Sequence, residues 1–210
     1  MARNTKSSQH KDLAVRDDDN QACPGQGRLE AAEAAAAEAR SAPAGNSGID
    51  CRAMATVEVK GVEGMQALLA QRIGPSEWRT VTQEDIDTFA DLSGDDQWIH
   101  VDVERAKTES PFGTTIAHGN LTLSLVDGFR KDLISSTGFA LGVNYGWNKI
   151  RFPAPVPAGG RVRGSAEVVS VEEIGGGWWQ VVTRFTLEVE GNEKPCFVGD
   201  SVTRVMAPAE

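Results

Sequence analysis

The chain has 210 residues, a formal net charge of −9, 40% hydrophobic and 24% charged residues, a balance that fits a globular protein with a core of its own. The acidity argues against nucleic acid as a partner, because phosphate backbones are met by basic faces, and no apolar run approaches the roughly 18 residues of a membrane span. Three widely spaced cysteines, Cys23, Cys51 and Cys196, exclude a disulfide framework or a four-cysteine zinc site and point to a reducing cytoplasm.

Residues 1–53 differ in texture from the rest. The first twenty are polar with the acidic run Asp17-Asp18-Asp19, and read as neither a secretory signal nor a mitochondrial transit peptide. Ser, Gly, Pro and charges of both signs without periodicity predict a disordered extension. The Ala-rich stretch 27–42 is a good helix former too short to persist alone. Regular patterning begins at Met54, and the expectation is a natural start there, with one domain over 54–210. Seven of the 21 basic and eight of the 30 acidic residues precede Met54, so the domain itself carries −8.

Met65, Leu68 and Leu69 predict a weak helix within 57–71, and the alternation over 77–81 a short strand. Thr82-Gln83-Glu84-Asp85 matches a capping box that opens a helix with Ile86, Phe89 and Leu92 on one face and Gly94 as its left-handed cap. A loop over 104–115 follows. Gly119 to Leu133 then reads as the longest helix, apolar around most of its circumference and expected to be buried. Glycine-rich turns divide the remainder into four strands, over 140–152, 161–172, 178–189 and 195–205. Adjacent Trp178 and Trp179 point to opposite faces, so at least one belongs to core or interface. With an opening strand, this order predicts an α+β domain in which one antiparallel sheet curls around one helix.

The chemistry concentrates in Ser93-Gly94-Asp95-Asp96-Gln97-Trp98-Ile99-His100-Val101-Asp102 and in Ile116-Ala117-His118-Gly119-Asn120, which hold two of the three histidines. The first reads as an acid/base pair, Asp95 with His100. The second reads as a helix start whose Gly119 N–H can meet an oxyanion. Taken singly, Asp95 is an ordinary turn acid and His100 a core histidine; Asp102 reads as a cap. The ring of His118 is ambiguous, its backbone mattering more. The cluster Asp91, Asp95, Asp96, His100 and Asp102 does not match a calcium loop, so no metal and no cofactor are expected.

The run F-A-D-L-S-G-D-D-Q-W-I-H-V-D over 89–102 resembles the hydratase signature of MaoC-like dehydratases, the (R)-specific enoyl-CoA hydratases. I-A-H-G over 116–119 looks like that family's helix start, and N-K-I-R-F-P-A-P-V over 148–156 its strand into a Pro-rich turn. The likeness covers 75–205 and is greatest to short members related to NodN. It implies a hotdog fold, a homodimer and reversible syn hydration of trans-2-enoyl-CoA to (3R)-hydroxyacyl-CoA in fatty acid metabolism. Asp95 and His100 would be the catalytic pair and Gly119 the donor to the thioester carbonyl. Many members carry Asn-Pro where this chain has Gln97-Trp98. Gln97 can still position water or loop, and Trp98, without proline's fixed φ, needs other contacts. Lys149, Arg151 and Arg161 are candidates for the coenzyme A phosphates. Two readings compete: a hotdog acyl-CoA thioesterase, and a non-catalytic or partner-dependent acyl-binding subunit. Fold does not separate them.

Overall fold

The computed structural model describes residues 56–208; the expectations for residues 1–53 and for Met54 lie outside them. The chain opens with β1 (Val57–Lys60) and α1 (Gly61–Ala67), followed by the two-residue strands β2 (Arg72–Ile73) and β3 (Arg79–Thr80). Only the middle of the weak helix expected over 57–71 is therefore helical. The alternation V-E-V-K of its first half, with Val59 buried and its neighbours not, is extended.

Helix α2 (Gln83–Ser93) starts as its sequence predicts. The Thr82 hydroxyl accepts from the Asp85 N–H while the Asp85 carboxylate accepts from the Thr82 N–H, and Gly94 closes the helix at φ 75°. Such a cap is worth about 1 kcal/mol. Ile86 and Ala90 are buried and Phe89 packs on the core, but Leu92 is 85% exposed. Six residues at about 100° each carry Leu92 off the face that Ile86 begins.

The first half of the loop expected over 104–115 is helical. After α3 (Trp98–Val101) comes α4 (Val103–Glu109), begun by the Asp102 carboxylate accepting from the Arg105 N–H at 3.0 Å and laced by Arg105–Glu109 and Glu104–Lys107 ion pairs. Asp102 is a cap, as expected. The long central helix is two segments, α5 (Gly119–Ser124) and α6 (Val126–Leu133), meeting at Leu125. Leu121, Val126, Phe129 and Leu133 are buried.

A short β4 (Ile134–Thr137), absent from the sequence reading, pairs in parallel with β1, so these two strands lie outside the main sheet, whereas the short strand expected over 77–81 joins it as β3. That sheet holds β5 (Leu141–Arg151), β6 (Arg161–Gly175), β7 (Trp178–Val189) and β8 (Phe197–Met206), hydrogen-bonded in the order β2-β6-β7-β8-β5, with β3 also on β6. All its pairings are antiparallel. Val181, Thr183, Phe185, Leu187 and Val189 form the buried face of β7, the period of two that a sheet covered on one side requires. Phe129 of α6 packs on that layer, and Trp179 joins the same core.

Candidate active site

Once Gly94 has ended α2, the chain turns and presents Asp95 to solvent; α3 then carries His100 back inside, where it is 7% exposed. A carboxylate oxygen of Asp95 and one ring nitrogen each from His100 and His118 lie within 4.8 Å of one another. One water making two ordinary hydrogen bonds bridges about that span.

The hydrogen bonds fix the tautomers. His100 Nδ1 is 2.7 Å from the Ile116 carbonyl oxygen; a carbonyl only accepts, so Nδ1 carries the proton and Nε2 presents its lone pair. His118 is the opposite tautomer. Its Nε2–H donates to the Asp95 carbonyl at 2.8 Å, while its buried Nδ1 has no partner among the described residues. The two rings stack at 3.8 Å and 28°. Among the described residues, Asp95, His100 and His118 form a group whose ligand atoms lie close enough together to hold a metal ion, and these hydrogen bonds leave lone pairs on His100 Nε2 and His118 Nδ1.

Several contacts hold His100 in place. Its N–H donates to the Gln97 carbonyl at 2.8 Å and the Ile116 N–H donates to the Ile99 carbonyl at 3.0 Å. Gln83 donates its amide to the His100 carbonyl at 2.8 Å and accepts from the Thr115 hydroxyl, tying α2, α3 and the approach to α5 into one unit. Trp98 lies under the Arg105 guanidinium at 4.3 Å, a contact that supports the loop where proline is missing.

His100 and Gly119 face one cleft of about 350 Å³, lined also by Phe112, Thr122, Phe152 and Cys196. A Cβ on Gly119 would sit 3.1–3.3 Å from the Phe152 ring, so glycine lets that ring pack closely on the start of α5. Because α5 is only six residues long, Gly119 offers a first-turn N–H more than the field of a long helix.

The structure thus places Asp95 beside His100, and His100 in one cleft with Gly119; Asp95 itself does not line that cleft. Gln97 is exposed and contributes its carbonyl to His100; its side chain has no hydrogen bond among the described residues. Lys149, Arg151 and Arg161 do not line the cleft. Lys149 lies 3.6 Å from Asp200, Arg161 pairs with Glu190 at 3.0 Å, and Arg151 donates to its neighbouring carbonyl at 2.7 Å. Asp200 also grips Arg184 through two hydrogen bonds and holds that guanidinium above its ordinary range.

Cys196 donates to the Leu187 carbonyl at 3.4 Å, and burial pushes its thiol up to about 12. Thiolate is the reactive form. Iodoacetamide at pH 8 is therefore expected to spare the Cys196 peptide in the native protein and label it in denaturant, as read by mass spectrometry. Equal labelling in both conditions would contradict the burial. Because the folded thiol ionises above its usual value of 9.0, it contributes to stability below that pH. The contribution declines as pH rises from about 9 toward 12, where only the unfolded chain readily ionises.

An antiparallel sheet wrapped on a central helix is the architecture of a hotdog fold. Residues 65–190 match the model of the MaoC like domain. The 3-hydroxyacyl-thioester dehydratase Z of Mycobacterium tuberculosis is 47% identical over 148 residues, covering 70% of this chain and 97% of that protein. Nodulation protein N of Rhizobium leguminosarum bv. viciae is 40% identical over 136 residues, covering 64% of this chain and 84% of that protein. Among solved structures, a monoamine oxidase regulatory protein from Archaeoglobus fulgius superposes with a TM-score of 0.61 at 27% identity, covering 74% of this chain and 99% of that one. The R-hydratase PhaJ1 from Pseudomonas aeruginosa gives 0.50 at 25%, covering 68% and 83%. The chain belongs to the MaoC-like dehydratase family.

Proposed function

We propose that this protein is an (R)-specific enoyl-CoA hydratase that adds water reversibly and syn to a trans-2-enoyl thioester. The observation that carries the reading is the Asp95 carboxylate within 4.8 Å of a His100 ring nitrogen, beside a cleft that His100 shares with Gly119. The family, the thioester dehydratase among its relatives and the R-hydratase among its structural neighbours support it.

A water held between Asp95 and His100 Nε2 loses a proton to His100 as its oxygen attacks C3. C2 takes a proton from the same pair, with Asp95 orienting the water or delivering that proton. One water is consumed, and both side chains return to their starting state. Charge that develops on the thioester oxygen meets the Gly119 N–H; losing one such donor costs about 10²–10³ in rate in related acyl chemistry. Gln97 serves as a loop-positioning residue through its carbonyl, and coenzyme A is the proposed carrier, with Lys149, Arg151 and Arg161 as candidates for its phosphates.

The test follows loss of the conjugated-enoyl absorbance with crotonyl-CoA and a longer 2-enoyl-CoA, with chiral analysis of the product. Hydration to the 3R alcohol is expected. Coenzyme A release outpacing hydration would make the protein a thioesterase, and activity only with an added second subunit would make it a partner-dependent one.

The enzyme is further proposed to be a cytoplasmic homodimer. β5 is an edge strand of eleven residues, none fully buried, with Leu141, Val143 and Tyr145 exposed by 49%, 39% and 60%. A long apolar edge calls for a partner, and a second β5 supplies a self-complementary one. Light scattering at micromolar concentration should report twice the chain mass; a monomer would count against this arrangement. No helix among the described residues is long and apolar enough to cross a membrane.

A further inference from the structure

His118 is a buried titratable side chain to which hydration by Asp95 and His100 assigns no task. Its ring is 2% exposed, donates from Nε2 to the Asp95 carbonyl at 2.8 Å, stacks on His100 at 3.8 Å and touches Phe89 at a centroid distance of 5.1 Å. We infer that His118 is a positioning residue for the acid/base pair: its Nε2–H fixes the main chain of Asp95 and its face fixes the plane of the His100 ring. The inference rests on the acid/base reading above.

The turn that carries Asp95 is otherwise lightly held. Asp95 is exposed, and its N–H reaches the Ser93 hydroxyl only at 3.3 Å. The 2.8 Å bond from His118 is thus its close tie to the start of α5. The other end of His118 is fixed as well: its carbonyl accepts from the Thr122 N–H at 3.0 Å and from the Thr122 hydroxyl at 3.1 Å. Gly119 is the next residue. One side chain therefore sets three things relative to one another: the Asp95 turn, the imidazole plane of His100 and the Gly119 N–H. Packing alone would be served by phenylalanine, which fills the same space and leaves no bare lone pair, whereas the buried Nδ1 has no partner among the described residues. The N–H on the far side of the ring accounts for the imidazole.

The experiment compares His118→Gln, His118→Phe and His118→Ala with wild type on crotonyl-CoA, with circular dichroism as the fold check. Glutamine keeps a donor near the Nε2 position, phenylalanine keeps only the stacked ring, and alanine keeps neither. A misplacement of about 1 Å costs about 10² in rate. The expected kcat losses are about tenfold for Gln, about 10²-fold for Phe and larger for Ala, with KM within about threefold throughout. A Phe variant with wild-type kcat, a Gln variant no better than Phe, or losses confined to KM would each overturn the positioning role. If the Phe variant does not fold, Gln against Ala decides the same question. An inactive wild type, or a His100→Gln variant of normal activity, overturns the acid/base reading and this role with it; a normal Phe variant beside an inactive His100→Gln overturns only the role of His118.

Discussion

Replacing His100 with glutamine should lower kcat for enoyl-CoA hydration by about 10³-fold while leaving the fold intact. General base catalysis contributes about 10²–10⁴, and a loss of 10³ corresponds to about 4 kcal/mol of barrier. Glutamine is the informative substitution because of the tautomer. In the native protein Nδ1–H donates to the Ile116 carbonyl and only Nε2 is free to take a proton. A glutamine amide stands near the Nε2 position but accepts no proton near neutrality, while an asparagine amide, near the Nδ1 position, can still donate to that carbonyl. His100→Ala removes both functions and leaves the Ile116 carbonyl unpaired near a buried site, a structural cost of about 1–3 kcal/mol. Asp95→Asn, at an exposed position, should lose activity with little change in Tm. A His100→Gln enzyme within tenfold of wild type would show that another group takes the proton from water.

Much of this site was legible because its parts are local. The capping box at Thr82, the glycine stop at Gly94 and the spacing from Asp95 to His100 lie within twenty residues, and local chemistry decides them. The strands from β5 to β8 were legible because glycine and proline punctuate them. What escaped was decided at long range. Gln83 reads as an ordinary first-turn residue of α2, yet it bonds partners 17 and 32 residues away, and nothing in its neighbours announces that. His118 was read for its backbone, because only the fold shows its ring stacked on His100. The α4 helix was read as loop because Pro111 and Gly113 drew attention from the cap at Asp102 and the ion pairs behind it. β4 gains its order from pairing with β1 more than seventy residues earlier, and a strand of four residues carries too little pattern to be read alone. Lys149, Arg151 and Arg161 were chosen by charge and place in sequence, whereas the sheet gives Lys149 and Arg161 carboxylate neighbours of their own.

The packing that holds the site together makes a second strong prediction: Phe129→Ala should destabilise the domain by about 3–5 kcal/mol, the usual range for a buried phenylalanine. Phe129 is 0% exposed on α6, where it is the knob between the central helix and the sheet. Gly164 on β6 provides the hole: a Cβ there would lie 2.9 Å from the Phe129 Cβ and 3.1 Å from Leu187. The Arg79 guanidinium caps the ring at 5.1 Å and pairs with Asp132 at 2.6 Å, joining β3 to α6. Backbone so firmly seated cannot readily collapse into the vacated space, which places the cost toward the upper part of the range. Denaturant unfolding, with the midpoint and slope compared at fixed protein concentration, reads the effect. Leu92→Ala is the control, since Leu92 is 85% exposed and its loss should stay within about 0.5 kcal/mol. Equal effects from the two substitutions would mean that Phe129 is not the contact that locks helix to sheet. A large loss at Phe129 alone, with the kcat of the remaining folded enzyme preserved, would separate what holds the scaffold from what performs the chemistry.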